Sequence, residues 1–192
     1  MKKILFLGYT PRKTALISFL KKKNVVKIYG QKLLSPEIAK KYDLIICFGY
    51  RKIIKKKVLD NILRPPINLH ISYLPYNRGA HPNFWSFVEN TPKGVSIHEI
   101  NEGIDQGGLI FRKKINFKIT EKLTFKNTYS KLISEVEKLF KTNVDNIIYK
   151  KYKFIKIKNK GSIHYLKDKP KNIKSWNIKI RKYLDNQEIS LK

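Results

Sequence analysis

The sequence predicts an α/β fold in which a mainly parallel central sheet is flanked by helices and followed by a short C-terminal extension. Short apolar runs, several of them ending in glycine, alternate along the chain with segments whose apolar residues recur at helical spacing. This alternation is typical of β-α-β units, whose crossover helices make successive strands parallel. With 192 residues, 42% of them hydrophobic, the chain is long enough for one domain with a sizeable core.

The first half of the chain contains two rounds of this alternation. KILFLG (residues 3–8) and VVKIYG (25–30) predict strands, and PRKTALISFLKKK between them predicts a helix that begins near its proline. A second helix opens behind Ser35 in SPEIAKKY, and LIICFG (44–49) predicts the most apolar strand. KKKVLDNIL predicts the next helix, after which INLH (67–70) continues the sheet.

The second half predicts two further strands and one long helix. The strands are expected at GVSIHEI (94–100) and LIFRKKINF (109–117), and the longest helix at TFKNTYSKLISEVEKLFKTNVDNII (124–148). From about Tyr149 the chain is basic and contains a short β-like run, YKFIKIK (152–158). We therefore expect one main domain over residues 1–150 and a basic C-terminal extension over residues 151–192.

The net charge of +28 allows two interpretations. Such a charge attracts phosphate-rich partners, including nucleic acid, nucleotides and anionic membranes. However, 36 of the 42 basic residues are lysines spread over nearly the whole chain, and arginine is the better bidentate phosphate ligand. A compositional bias would produce the same pattern without selection for a polyanion.

The hydrophobic pattern predicts a cytoplasmic protein without a membrane partner. No apolar run approaches the roughly 20 residues that span a bilayer, and Met1 leads directly into a strand without a signal-peptide core. Cys47, the only cysteine, lies inside the apolar LIICFG run, so it has no partner for a disulfide or a metal cluster. We expect it to pack in the core, and we predict no metal site.

The first strand-to-helix turn argues against two common nucleotide sites. It reads GYTPRKT, which contains neither the glycine pattern of dinucleotide-binding turns nor that of the P-loop. The chemistry is therefore expected later in the chain, beyond the carboxyl ends of the strands.

Polar side chains concentrate between residues 68 and 105. Asn68 and His70 alternate on one strand and so face the same side, and GVSIHEINEGIDQGG then contributes His98 and Asp105. An amide, an imidazole and a carboxylate can stabilise an oxyanion and move a proton during acyl transfer. No serine or cysteine stands in a nucleophile elbow, which favours direct attack by a substrate amine.

INLHISYLPYNRG followed by GVSIHEINEGIDQGGLI resembles the pattern of the folate-dependent formyltransferases, and among them most closely the sugar N-formyltransferases. The resemblance covers roughly residues 1–120 and implies a Rossmann-like formyltransferase fold, with residues 1–150 as the catalytic domain. It places Asn68, His70 and Asp105 in the family's catalytic positions. His98 is expected either to support the loop that carries Asp105 or to be a structural histidine of its strand. It also implies 10-formyltetrahydrofolate as the formyl donor.

Two segments are expected to hold the pteridine of that donor. By the same resemblance, the stretch CFGYRKII supplies one wall and the loop NEGID the other. The predicted folate-binding residues are Lys52, Ile53, Ile54, Asn101, Glu102, Gly103 and Ile104.

The acceptor is predicted to be the amine of a nucleotide-linked amino sugar. The loop YNRGAHPNFW and the stretch GSIHYLKD (161–168) resemble the sugar enzymes, and the chain has no room for the C-terminal β-barrel of the methionyl-tRNA enzymes. Arg78 can meet a substrate phosphate or simply shape the loop. The predicted substrate-binding residues are Tyr76, Asn77, Arg78, Gly79, Phe84 and Trp85.

Three alternatives stay open. The acceptor can be methionyl-tRNA, which the charge favours, or glycinamide ribonucleotide. The third is a non-catalytic module that binds folate or a nucleotide, against which the presence of Asn68, His70 and Asp105 argues. Sugar enzymes of this kind often dimerise through a C-terminal segment, so a homodimer is a further possibility.

Overall fold

The computed structural model describes residues 1–190 and shows a six-stranded sheet in the order β2-β1-β3-β4-β6-β7 and a separate two-stranded pair, β5-β8. The strands are β1 (Lys3–Gly8), β2 (Val25–Gly30), β3 (Leu44–Phe48), β4 (Ile67–His70), β5 (Arg78–Gly79), β6 (Gly94–Glu99), β7 (Leu109–Lys114) and β8 (Ile163–His164). The helices are α1 (Leu16–Lys21), α2 (Pro36–Ala39), α3 (Lys56–Leu59), α4 (Pro82–Val88), α5 (Phe125–Thr142), α6 (Val144–Ile148) and α7 (Ile180–Ser190), with a 3-10 turn at Leu166–Asp168. The last two residues of the predicted extension lie outside the described residues.

The first four strands of the large sheet are parallel. β1 pairs with β2 and β3, and β3 pairs with β4 in a register that sets Cys47 beside Asn68. β3 is buried throughout, as is β1 after its first residue. Both faces of a parallel sheet are usually covered, which explains why these strands are continuous apolar runs. The mainly parallel sheet flanked by helices is confirmed.

The last two strands of the sheet run antiparallel to their neighbours. Ile100 N donates to Pro66 O at 2.8 Å, which pairs the end of β6 with the beginning of β4. Glu99 N donates to Gly108 O at 2.9 Å, which pairs the end of β6 with the beginning of β7. β4 therefore lies inside the sheet, and its carboxyl end is at His70, where such sheets bind ligands.

The chain divides into two compact units, each assembled from three stretches. The first unit comprises Met1–His70, Ile97–Phe111 and Glu137–Lys156. Its core contains Leu5, Leu7, Ala39, Ile45, Cys47, Ile54 and Val58. Cys47 packs there as expected, and burial raises the pKa of its thiol.

The second unit comprises Ile71–Ser96, Arg112–Val136 and Ile157–Lys192. Its aromatic core contains Phe84, Phe87, Phe125, Ile173, Ile180 and Tyr183, with Trp176 against it. A functional boundary near residue 150 stays a prediction, because these units are defined by contacts and not by activity.

Several sequence predictions of local structure need correction. Residues 152–158, all of which the structure describes, form no strand; only the backbone of Ile155 reaches β7, donating to Leu109 O at 2.8 Å. The stretch YNRGAHPNFW, predicted as a loop, contains β5 and the beginning of α4, because Pro82 starts a helix. The first helix is shorter than predicted. α5 is the longest helix, as expected, but the predicted span 124–148 divides at Asn143 into α5 and α6. Within residues 1–190, no helix combines the length and apolar character needed to cross a membrane.

Candidate active site

Two neighbouring strands bring Asn68, His70 and His98 together. Asn68 and His70 alternate along β4 and face the same side of it. The antiparallel register sets β6 beside β4, so that Asn68 Nδ2 lies 3.1 Å from His98 Nε2. Both histidines are largely buried, with His70 8% and His98 1% exposed. The rings approach edge to face with centroids 6.2 Å apart.

Asp105 joins this group from the loop that follows β6. Its Oδ1 accepts from Asn68 Nδ2 at 3.1 Å and lies 3.3 Å from His98 Nε2, while its Oδ2 lies 3.5 Å from His70 Nε2. The backbone at Asp105 is left-handed, with φ 48°, a conformation that aspartate tolerates better than most residues. The structure thus gathers all four residues that the sequence placed at the chemical centre.

The contacts of His98 fix the tautomer of its ring. Nδ1 lies 2.6 Å from the backbone oxygen of Glu99, which can only accept, so Nδ1 carries a hydrogen. In the neutral ring Nε2 is then an acceptor, and it takes one hydrogen of the Asn68 amide while Asp105 takes the other. His98 therefore orients the Asn68 amide, and its support of the Asp105 loop stays a prediction.

The cluster combines groups suited to acyl transfer. An amide and an imidazole can donate to an oxygen that gains negative charge, and a carboxylate beside the imidazole can orient it and accept a proton. The low exposure of the two histidines strengthens such interactions, because little water competes for the donors.

A second layer of polar contacts extends from His98. Tyr152 donates from its hydroxyl to Glu99 Oε1 at 2.8 Å, and Arg64 Nη2 donates to the same hydroxyl at 3.3 Å. Burial, followed by the bond to Glu99, raises the pKa of Tyr152 to about 12. Sequence reasoning missed Tyr152, because it lies in a lysine-rich segment whose composition carries no signal of a contact with the site.

The two predicted folate-binding segments differ in exposure. Lys52 is exposed, Ile53 is 72% exposed, and Ile54 is buried in the core of the first unit. An exposed isoleucine can contact a planar ligand, whereas Ile54 acts here as a core residue that anchors the segment.

The second predicted folate-binding segment is a turn attached to α3. Glu102 pairs with Lys56 through a 2.9 Å contact, and Gly103 N donates to Asn101 Oδ1 at 3.0 Å. Gly103 and Ile104 are partly buried. Because Lys56 begins the helix that follows residues 52–54, this ion pair links the two predicted folate-binding segments.

The predicted substrate loop lies in the second unit and is tied to the C-terminal part of the chain. Arg78 pairs in β5 with Ile163 of β8, and its guanidinium donates to Lys160 O at 3.1 Å and Ser162 O at 3.4 Å. Gly79, with φ 82°, continues this pair. Tyr76 accepts a bond from Asn159 at 2.9 Å. The segment GSIHYLKD, singled out by resemblance, thus supports the Arg78 loop.

Two of the predicted substrate residues are core or framework residues in this structure. Asn77 is fully buried and donates to Glu89 Oε2 at 3.1 Å. Phe84 is 1% exposed inside the aromatic core, which does not fit a direct substrate contact. Trp85 differs, because its ring stacks on His164 at 4.1 Å and is only partly buried.

Comparisons with known proteins identify the family of this chain. A family model described as formyl transferase matches residues 13–144, which include all four residues of the cluster. The chain belongs to the formyl transferase family. A crystal structure of the formyltransferase PseJ from Anoxybacillus kamchatkensis, in complex with UDP-4,6-dideoxy-4-formamido-L-AltNAc and tetrahydrofolate, is similar with a TM-score of 0.85 and 38% identity. That similarity covers 94% of this chain and 96% of PseJ.

Curated formyl transferases with different acceptors also match. The dTDP-4-amino-4,6-dideoxyglucose formyltransferase of Mycobacterium tuberculosis is 32% identical over 41% of this chain. The methionyl-tRNA formyltransferase of Prochlorococcus marinus is 38% identical over 49% of this chain. The matched regions span 32% and 29% of the length of these two relatives. Because these two relatives are named for different acceptors, the curated matches do not distinguish between acceptors.

Proposed function

We propose that this formyl transferase family member moves a formyl group from 10-formyltetrahydrofolate to the amine of a nucleotide-linked amino sugar. The observation that carries the proposal is the cluster of Asn68, His70 and Asp105. The Asp105 carboxylate lies 3.1 Å from Asn68 Nδ2 and 3.5 Å from His70 Nε2. The similarity to PseJ over nearly the whole of both chains supports the choice of acceptor. The proposed catalytic domain spans residues 1–150, with residues 151–192 as an extension.

The folate donor supplies an activated formyl group. Residues 52–54 and 101–104 would hold it: the exposed Ile53 offers an apolar contact for the face of the flat pteridine, and the Lys56–Glu102 ion pair joins the two segments. Ile54 would support that surface from the core. The chemistry then depends on side chains that project from β4.

Asn68 and His70 supply the donors in the proposed mechanism. As the substrate amine attacks, negative charge develops on the formyl oxygen, and Asn68 Nδ2 and His70 Nε2 turn the hydrogens that faced Asp105 toward that oxygen. Asp105 holds His70 Nε2 before the reaction and accepts the proton that the amine loses; that proton then passes to the tetrahydrofolate nitrogen as its bond to the formyl carbon breaks. Because Asp105 also holds Asn68, one carboxylate orients both donors.

On the acceptor side, Arg78 is proposed to bind the phosphates of the nucleotide. Its contacts to Lys160 O and Ser162 O use two donors of the guanidinium, and a guanidinium has five. Diphosphates are typical ligands of arginine because two parallel hydrogen bonds can form. Trp85 and Tyr76 are proposed to contact the sugar or the base, as aromatic rings commonly do in small-molecule sites.

A direct assay tests the proposed function. The protein is incubated with 10-formyltetrahydrofolate and a panel of nucleotide-linked amino sugars, and the mass of each product is measured by mass spectrometry. We expect one sugar to gain the mass of one formyl group. Transfer only to methionyl-tRNA or glycinamide ribonucleotide would leave the chemistry intact and overturn the acceptor.

Methionyl-tRNA is the second candidate acceptor. The net charge of +28 and the 38% identity to the Prochlorococcus enzyme favour it. If tRNA binds, the logarithm of its association constant should fall linearly with the logarithm of the salt concentration, because each phosphate that the protein neutralises releases counterions. Titrating tRNA at several salt concentrations, with formyl transfer measured in parallel, separates productive binding from attraction by scattered lysines.

Assembly and location complete the proposal. We propose a cytoplasmic enzyme that is active as a homodimer. Sedimentation at several protein concentrations tests the dimer, and fractionation of the source cell tests the location.

A further inference from the structure

Tyr152 connects the paired ends of the two strands that carry three residues of the candidate site. Its hydroxyl donates to Glu99 Oε1 at 2.8 Å and accepts from Arg64 Nη2 at 3.3 Å. Glu99 is the last residue of β6, and Arg64 lies three residues before β4 begins. One hydroxyl thus bridges the strand that carries His98 and the approach to the strand that carries Asn68. Tyr152 lies beyond residues 13–144, the part of the chain that matches the family.

The bridged end is close to the reacting groups. Ile100 N donates to Pro66 O at 2.8 Å and closes the β4–β6 ladder at this end. Asn68 lies two residues inside that closing pair on β4, and His98 lies two residues inside it on β6. If the ladder opened at this end, the distance between Asn68 and His98 would therefore change while the rest of the sheet stayed paired.

The bridge is itself firmly held. Arg64 Nη1 and Nη2 donate to Ile148 O and Ile147 O, both at 3.0 Å, at the end of α6. Glu99 is 9% exposed, so its carboxylate depends on donors inside the protein. Tyr152 supplies one of them and, with a raised pKa, keeps its proton across the neutral range.

Displacement of Glu99 would be transmitted directly to the site. The backbone oxygen of Glu99 accepts from His98 Nδ1 at 2.6 Å, and His98 Nε2 contacts the Asn68 amide at 3.1 Å. We propose that Tyr152 is a positioning residue for formyl transfer, which acts through Glu99 and His98 on the orientation of the Asn68 amide. This role rests on the proposed function, but its effect on the His98 ring can be measured without any reaction.

The test replaces Tyr152 with Phe, which removes only the hydroxyl. Tyr149→Phe is the matched control, because Tyr149 lies in the same segment and is 58% exposed. Glu99→Gln is the conservative partner variant, since its amide oxygen can still accept from Tyr152. The readouts are kcat and KM for both substrates, the melting temperature, and the ¹⁵N chemical shifts of His98 Nδ1 and Nε2.

We expect Tyr152→Phe to lower kcat about 10- to 100-fold, a range typical of slightly misplaced reacting groups, with both KM values within about threefold. The His98 shifts should move in Tyr152→Phe and stay unchanged in Tyr149→Phe. Glu99→Gln should lose less activity than Tyr152→Phe.

Two results would overturn the positioning role. One is a Tyr152→Phe protein with wild-type His98 shifts, whatever its activity. The other is a loss of activity that is fully explained by the fraction of unfolded Tyr152→Phe protein. The folded variant would then have the wild-type kcat, and Tyr152 would have only a structural role. If the wild type transfers no formyl group, the proposed function fails, while the His98 shifts still decide whether Tyr152 controls the ring.

Discussion

Replacing Asp105 with Asn keeps the size of the side chain and removes its charge. Asp105 Oδ1 faces the Asn68 amide at 3.1 Å, and Oδ2 faces His70 Nε2 at 3.5 Å. The new amide can keep an oxygen toward only one of them. With the oxygen toward Asn68, its NH2 group faces His70 and favours the tautomer in which Nε2 accepts. His70 could then no longer donate to the formyl oxygen.

The expected loss follows from these two effects. General acid–base catalysis by a positioned side chain contributes about 10²- to 10⁴-fold to a rate, and the substitution removes both the proton acceptor and the useful tautomer of His70. We therefore expect kcat to fall about 10²- to 10⁴-fold, equivalent to roughly 3 to 5 kcal/mol of transition-state stabilisation. KM for both substrates should change little, because the lost interactions act on charge that develops during the reaction.

The assay compares single-turnover formyl transfer in wild type, Asp105→Asn and Asp145→Asn. Asp145 is an exposed carboxylate on α6, so its variant controls for the loss of one negative charge. Melting temperatures should agree within a few degrees. A kcat for Asp105→Asn within tenfold of the wild type, in folded protein, would refute the role assigned to this carboxylate.

Three other substitutions test separate parts of the structure. Gly107→Ala would push a Cβ into the backbone oxygen of Glu99, so we expect a lower melting temperature and at least a tenfold lower kcat, and a wild-type kcat would contradict this. Arg78→Ala should weaken the binding of a nucleoside diphosphate about tenfold in calorimetry. Arg181→Ala, which removes an exposed ion pair with Glu121, should leave that affinity unchanged. If the two variants bind with the same affinity, Arg78 only shapes its loop. Hydrogen bonds from Lys113 and Lys131 lower the pKa of Glu135 from 4.5 to about 2, so its stabilising contribution is complete above about pH 4.5 and is lost as pH falls toward 2. Urea unfolding should show a steeper acid loss for the wild type than for Glu135→Gln, and parallel curves would exclude this contribution.

The parts of the site that lie on regular strands could be predicted from the sequence. Asn68 and His70 interrupt an apolar run at alternate positions, so the strand period alone placed them on one side. The grouping of His98 and Asp105 with them is inferred from their nearness in sequence and strengthened by resemblance, because no local rule reveals that β6 returns antiparallel beside β4. Register between distant strands depends on tertiary packing that a single sequence does not display.

The residues that were misjudged share a different cause. Aromatic side chains in a polar loop suggested a ligand surface, but Pro82 begins a helix whose buried face includes Phe84. That helix packs on Phe125 and Tyr183, which are distant in sequence. Burial of an aromatic ring is therefore decided by partners that arrive later in the chain. Trp85, the next residue along α4, is only partly buried and remains available as a substrate contact.

The loop from Glu99 to Gly107 places its carboxylate through two special backbone positions. Asp105 needs left-handed backbone, with φ 48°, to turn its side chain back toward β4. Two residues later, Gly107 lies so close to Glu99 O that no side chain fits. Because that same oxygen fixes the hydrogen on His98 Nδ1, the backbone geometry that places Asp105 also sets the tautomer of the neighbouring ring. Backbone packing and proton placement are thus coupled in one turn, and a substitution at Gly107 should disturb both even though glycine contributes no functional group.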